Sequence, residues 1–331
     1  VGELLAMARA GGACLKRQSL KLVEARHPQL SPLVRRDVLR VVEKPEYYVQ
    51  SESQRERKFW RGETDPVEPD YIYLVGTCHV GRESAADVKE VIEAVRPQAV
   101  VVELCKKRSN IMTTTAERGG GDGDGEGPSV AATSTSGSGE NDAGENWFER
   151  TSRQVLEEML TGMTSRIGRE LNVLPGLEFK QAYLSAKAIQ AEVVLGDRPI
   201  DITLRRCWSK MTWQERAKLL FVLLQALTRG DEVSAAVATQ IDSLEKEFDL
   251  DLVFDQVLEE FPSLEEPLFR ERDRYMAWAV KRSKAVTNTR SVVGVIGRGH
   301  LAPVLEEIHR DYDAQHLSFD SVARKPDTLS R

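Results

Sequence analysis

The sequence predicts an α/β fold: a mainly parallel central sheet flanked by helices, with a helical insertion between the third and last core strands. Three observations lead there. Tyr71 to Glu103 reads as a complete strand, helix, strand unit. Glu192 to Leu195 repeats the strand signal after an alanine-rich helix, and Ser291 to Ile296 repeats it before the helical pattern VLEEIHRDY. Short apolar runs alternating with helical patterns are what a parallel sheet covered on both faces requires.

Residues 1–68 carry mixed charge, with a helix expected over Ser31 to Val42 and a highly charged run from Ser51 to Arg61. They read as an amino-terminal extension packing on, or flanking, a main domain at 69–316. The first core strand is Tyr71 to Val75, closed by Gly76. Ser84 and Asp87 give a capping signal, after which Val88, Val91, Ile92 and Val95 recur at helical spacing. Pro97 ends that helix, and Ala99 to Val102 is apolar enough for a strand buried on both faces. A right-handed crossover places the carboxyl ends of both strands on one edge. Open α/β sheets bind ligands at that edge, and His79 and Glu103 both fall on it.

A loop at 117–146 follows. Its stretch Gly119 to Asn146 holds six acids and no base, with almost nothing able to build a core, and disorder is expected there. Its DGDGEG piece lacks the spacing of an EF-hand. Helical patterns run from Trp147 to about Leu171 and from Lys180 to Ala191, and the third strand then delivers Gly196, Asp197 and Arg198 at its carboxyl end. The helical insertion spans about 203–286. It carries a capping box at Thr212 (TWQE), a stripe of Leu219, Leu220, Leu223, Leu224 and Leu227, and a long helix from Pro267 to about Lys284. After the last strand come Gly297, Arg298, Gly299 and His300, with Pro303 expected in the first turn of the closing helix. Residues 317–331 form a tail.

Composition narrows the function. At 331 residues with 41% hydrophobic side chains the chain can bury a sizeable core. A net charge of −6 and the lack of a basic face interleaved with aromatics argue against a nucleic-acid partner. The four cysteines show no CxxC spacing, which fits reduced thiols in a protein that is not secreted. No apolar stretch approaches the roughly 20 residues that span a bilayer.

The pattern Gly-x-x-His occurs twice, as GTCH (76–79) and GRGH (297–300), each directly after an apolar strand. Glycine allows a tight turn and close backbone approach, and the histidine then projects over the sheet edge. Two imidazoles with the Glu103 carboxylate suit a divalent manganese, cobalt or zinc ion. Water activated by such an ion, with a carboxylate to accept its proton, makes a hydrolase site. Blander readings stand beside this one. Glu103 could cap a following helix; Asp197, Arg198 and Pro199 could form a turn; Arg272 and Asp273 could lie on a solvated helix face. Cys78 and Cys105 read as small hydrophobes beside candidate residues, and His309 and His316 as surface residues.

The two Gly-x-x-His motifs, VVELC around Glu103, LGDRPI with Asp197 and Arg198, and ERDRYM with Arg272 and Asp273 together resemble the TraB family, also called TraB/PrgY, and most closely its eukaryotic TraB domain-containing proteins. The resemblance covers Ile72 to about Tyr312, interrupted by the acidic insert. It implies kinship with the Tiki metal-dependent proteases and, more distantly, with erythromycin esterase and ChaN-like folds. Bacterial members are linked to shutting down peptide pheromone signals, and plant members to contacts between endoplasmic reticulum and mitochondria. Carried over, the resemblance makes His79, Glu103 and His300 the motif positions, with Gly76, Gly297, Asp197, Arg198, Arg272 and Asp273 around them.

The expectation is a metal-dependent hydrolase, acting on a peptide or small molecule. In it His79 and His300 hold the ion, Glu103 ligates it or acts as general base, and Arg198 or Arg272 stabilises developing negative charge or binds a substrate carboxylate. The competing expectation is a non-catalytic regulatory or tethering protein. Its place would be the cytosolic face of an organelle membrane such as the mitochondrial outer membrane, reached through a partner or a segment outside this chain.

Overall fold

A computed structural model describes residues 2–48, 67–78, 82–112, 176–219, 221, 258–314 and 317–324. Outside them lie His79, the charged run 51–61, the acidic loop, the helical pattern after Trp147, Leu220, Leu223, Leu224, Leu227 and His316.

Five strands form one mixed, mostly parallel sheet: β1 (Leu39–Glu43), β2 (Tyr71–Thr77), β3 (Ala99–Val102), β4 (Glu192–Leu195) and β5 (Ser291–Gly297), in the order β1-β2-β5-β3-β4. β1 pairs antiparallel with β2, while β2, β5, β3 and β4 run parallel. The strand expectations at 71, 99 and 291 hold because these runs are mostly apolar and buried on both faces, while the one at 192 forms the partly buried edge strand β4.

The two faces separate cleanly by alternation. Tyr73, Val75, Val100, Val102, Val293 and Val295 join one core cluster. It also takes in Val88, Val91 and Ile92 of α3 (Arg82–Val95), Phe179, Ala182 and Ala186 of α4 (Leu177–Ala188), and residues of α1 (Gly2–Arg26) and α2 (Ser31–Arg35). Ile72, Leu74, Ala99, Val101, Val292 and Ile296 face the other cluster. There they meet Met276, Ala277 and Val280 of α6 (Glu271–Arg282) and Leu301, Val304, Leu305 and Ile308 of α7 (Arg298–Ala314). Burying apolar surface at roughly 25 cal/mol per Å2 on both faces is the main stabilising contribution to this layered arrangement.

Three expectations shift. The helix expected over Ser31 to Val42 stops at Arg35, and its second half is the edge strand β1. Asp37 takes a positive φ of 60°, which ends the helix, and the β-branched run that follows pairs with β2. The helix expected from Pro267 instead begins with a π-helical turn, Glu266–Arg270, before α6. The closing helix starts at Arg298, so Pro303 sits inside it and the Gly299 carbonyl lacks its helical donor.

Beyond β4, α5 (Ile200–Lys210) begins the helical insertion. Cys207 joins Met211, Leu219 and Leu264 in a small separate core, where burial pushes the Cys207 thiol up to about 12. The Thr212 capping box is present: the Glu215 N–H donates to Thr212 Oγ1 (3.3 Å) and the Thr212 N–H donates to Glu215 Oε2 (2.7 Å).

Candidate functional site

Register brings the four parallel strands to a common carboxyl edge. Thr77 lies opposite Gly297, Val102 opposite both Val295 and Leu195. Pairing continues past the strand ends: the Glu103 N–H donates to Val295 O (3.0 Å), the Gly196 N–H to Val102 O (2.8 Å) and the Asp197 N–H to Leu104 O (3.3 Å). Glu103 and Asp197 are therefore fixed by backbone ladders, next to the first turn of α7. Gly196 permits this approach, since a Cβ there would lie 2.4 Å from a methyl of Val101. Gly76 serves packing as well: a Cβ would meet Leu301 of α7 at 2.9 Å, and its φ is not positive. The first motif's glycine thus makes room for the second motif's helix.

Arg272 joins the two carboxylates. Its Nε donates to Asp197 Oδ1 (2.9 Å), and its Nη2 to Asp197 Oδ2 (3.1 Å) and to Glu103 Oε1 (2.8 Å). Burial disfavours the charge, but Asp197 and Glu103 outweigh it and raise the guanidinium's pKa. Glu103 Oε2 accepts the Gly297 N–H at 2.6 Å. Asp197 Oδ1 also accepts the N–H of Arg198 (2.8 Å), so the expected local turn and the site coincide.

His300, in the first turn of α7, has its Nδ1 2.6 Å from Asp273 Oδ1 and its Nε2 3.4 Å from Glu103 Oε1. Carboxylates thus face both ring nitrogens, and on the tautomer in which Nδ1 donates to Asp273 the Nε2 lone pair is turned toward Glu103. Phe269, on the π-helical turn, stacks on the imidazole with centroids 6.5 Å apart. Among the described residues, then, three carboxylates surround one guanidinium and one imidazole, and the cluster has a surplus of negative charge. The Nε2 and Oε1 lone pairs face each other at a distance suited to sharing a cation.

The structure therefore brings Glu103, Asp197, Arg272, Asp273, Gly297 and His300 together. Arg272 and Asp273 point into the body rather than onto a solvated face. Arg198 lies beside them but faces away. Only 1% exposed, it donates to Thr203 Oγ1 (3.0 Å), Glu271 Oε2 (2.7 Å), Pro267 O (2.5 Å) and Val322 O (3.2 Å). Burial lowers its pKa, with Glu271 opposing. Cys78 is exposed and Cys105 buried. His309 is half-buried rather than on the surface, and burial lowers its pKa. Among the described residues no three His, Cys, Asp or Glu side chains are grouped to hold a metal ion.

Glu271, Arg206 and Phe269 were not singled out from sequence. One signal was present: Arg270 to Arg274 are five consecutive charges on a helix, and at about 100° per residue they go all the way round it, so a helix that buries one face must turn some of them inward.

A model of the TraB/PrgY/gumN family matches residues 59–306, which contain β2 to β5 and every residue of this cluster. An uncharacterized protein of Methanocaldococcus jannaschii is 28% identical over 274 residues, covering 78% of this chain and 59% of the relative. TraB domain-containing proteins of Mus musculus and Homo sapiens are 25% and 24% identical over 273 residues, 74% of this chain and 65% of each relative. The chain thus spans less than two thirds of the length of these relatives.

Proposed function

The chain belongs to the TraB/PrgY/gumN family, and from that premise we propose that it is a metal-dependent hydrolase acting on peptides. One observation carries the reading. Asp273 holds Nδ1 of His300, and the opposite ring nitrogen lies 3.4 Å from the Glu103 carboxylate. Carboxylate, imidazole and metal in line is a common way to orient a ligating histidine.

His300 and Glu103 would be two of the three protein ligands that a catalytic ion takes; on this reading the third would be His79. When bound, a manganese, cobalt or zinc ion supplies Lewis acidity. The chain's own residues do the rest. Asp273 fixes the ring's orientation, and Arg272 aims the Glu103 carboxylate. Gly297 pins the second Glu103 oxygen and so turns Oε1 toward His300 Nε2. Arg198 is excluded from contact with substrate by its burial, so charge stabilisation falls to Arg272.

The test is metal uptake. Wild-type protein exposed to manganese, cobalt or zinc and then desalted is expected to retain an ion, and His300→Ala and Glu103→Gln to lose it. Asp273→Asn should weaken binding about 10- to 100-fold. No uptake by the wild type overturns the metal mechanism.

A second reading draws on Arg272, which already balances Glu103 and Asp197 and so could make this cluster a structural lock. On that reading the protein is a non-catalytic regulator or tether at the cytosolic face of an organelle membrane. No described helix is long and apolar enough to cross a membrane; on this reading attachment would come through a partner or through a segment outside this chain. Ion retention with peptide turnover separates the first reading from the second.

A further inference from the structure

We infer that residues 317–324 form a strap that positions the site, and that Arg206 is the positioning residue through which it acts. The strap comprises α8 (Phe319–Ala323) and its flanks, beyond the segment matched by the family model. It grips α6 at two places. Phe319 packs on Trp278 (centroids 4.6 Å) and Tyr275 (6.2 Å), both on α6. At the other end, three strap carbonyls accept from buried or half-buried arginines: Val322 O from Arg198 (3.2 Å), Ser321 O and Arg324 O from Arg206 (3.2 and 3.0 Å). The strap's start is held too, since the Leu317 N–H donates to Asp311 (2.9 Å) and Arg282 donates to Leu317 O (2.9 Å).

Both arginines also hold Glu271. Arg206 takes it in a two-pronged grip, Nε to Oε2 (2.5 Å) and Nη2 to Oε1 (2.7 Å), and Arg198 adds Nη1 to Oε2 (2.7 Å). Burial by itself raises the Glu271 pKa, but Arg206 and Arg198 overcome it and hold the carboxyl below its ordinary value. Glu271 is the first residue of α6, and Arg272 and Asp273 follow it on the same turn. Consecutive helical residues cannot rotate independently, so whatever fixes Glu271 also fixes the direction of Asp273 toward His300 and of Arg272 toward Glu103. Release of the strap frees Arg206 to follow water and loosens that turn. The 2.6 Å contact between Asp273 and His300 is then lost, and with it the single tautomer of the ring. The inference rests on the geometry of the cluster and is independent of the metal.

The test uses the full chain with Phe319→Ala, Arg206→Gln and Arg206→Lys, and Arg270→Ala, in an exposed pair with Glu265, as control. Nitrogen NMR of the His300 ring reads the tautomer, and thermal unfolding confirms folding. In the wild type and in Arg270→Ala the two ring nitrogens are expected at well-separated shifts. In Phe319→Ala and Arg206→Gln the shifts should converge, with Arg206→Lys between, because lysine keeps the charge but not the fork. Unchanged His300 shifts in folded Phe319→Ala, whatever Arg206→Gln does, overturn the inference and leave the strap as packing alone. A separate manganese titration of the wild type tests the metal: failure to bind sinks the proposed hydrolase and leaves the ring measurement to decide the strap. If manganese binds, Phe319→Ala should weaken it about tenfold.

Discussion

Arg272 is the residue on which the cluster's electrostatics turn. It reaches carboxylates at the ends of two strands, Glu103 after β3 and Asp197 after β4, both almost fully buried. Removing one partner from a buried ion pair leaves charge in low dielectric, at a cost of about 3 to 5 kcal/mol. Arg272→Ala is therefore expected to destabilise the protein by that amount in urea unfolding, and Arg272→Lys to recover only part, since lysine cannot fork. A loss under about 1 kcal/mol would mean the carboxylates are better hydrated than their burial indicates. Sequence reading reached Arg272 and Asp273 through a motif and could not choose between a site and a solvated face. Which face of α6 turns inward depends on Glu271, and Glu271 is decided by Arg198, in the turn after β4, and by Arg206 of α5. Pairings 65 and 73 residues apart leave no local trace.

At the scale of elements, runs that obey one period were legible and those decided by a partner were not. β2, α3, β3, β4 and β5 follow from their own apolar patterns. β1 does not, since Val38, Leu39, Val41 and Val42 fit a helix face as readily as an edge strand, and only pairing with β2 decides. The helix after Thr212 was legible because its cap is chemical. There burial by itself pushes the Glu215 carboxyl up, yet the Thr212 N–H, the Ser263 hydroxyl and N–H and the Thr212 hydroxyl together hold it at about 2. That lies below the ordinary glutamate value of about 4.3. The stabilisation is therefore complete above about pH 4.3 and is lost as pH falls toward 2. Acid titration followed by tryptophan emission from Trp208 and Trp213 should show the helical insertion loosening in that window. Glu215→Ala should remove the transition and weaken folding at neutral pH by about 1 to 2 kcal/mol. An unchanged acid profile in the variant would rule out Glu215 as its source.

Across the whole molecule, the second Gly-x-x-His motif meets the first strand's edge only because β5 inserts between β2 and β3, an order that no local pattern states. What holds that arrangement on its helical side is a buried hub. Lys281, fully buried on α6, pairs with Asp311 of α7 (2.5 Å) and with Glu68 ahead of β2 (3.3 Å), and its ammonium lies 3.6 Å from the Tyr312 ring centroid. Arg282 doubles the link to both acids at 2.7 Å, and Tyr48 closes it through Glu68 (3.0 Å). Burial lowers the Lys281 pKa against the pull of these carboxylates. The hub thus joins the chain ahead of β2, α6, α7 and, through Asp311 and Arg282, the start of the strap. Lys281→Met keeps the volume and removes the charge, with Arg282 left to serve two buried acids, so a loss of about 3 kcal/mol is expected. Because the hub touches parts remote in sequence, far-ultraviolet and near-ultraviolet signals should shift to lower urea together, as one transition. Pairing Lys281→Met with Asp311→Leu should cost less than the sum of the two single changes, since the acid no longer needs its cation. Additive losses, or two separated transitions, would show that α6 and α7 are coupled through their apolar faces and not through this hub.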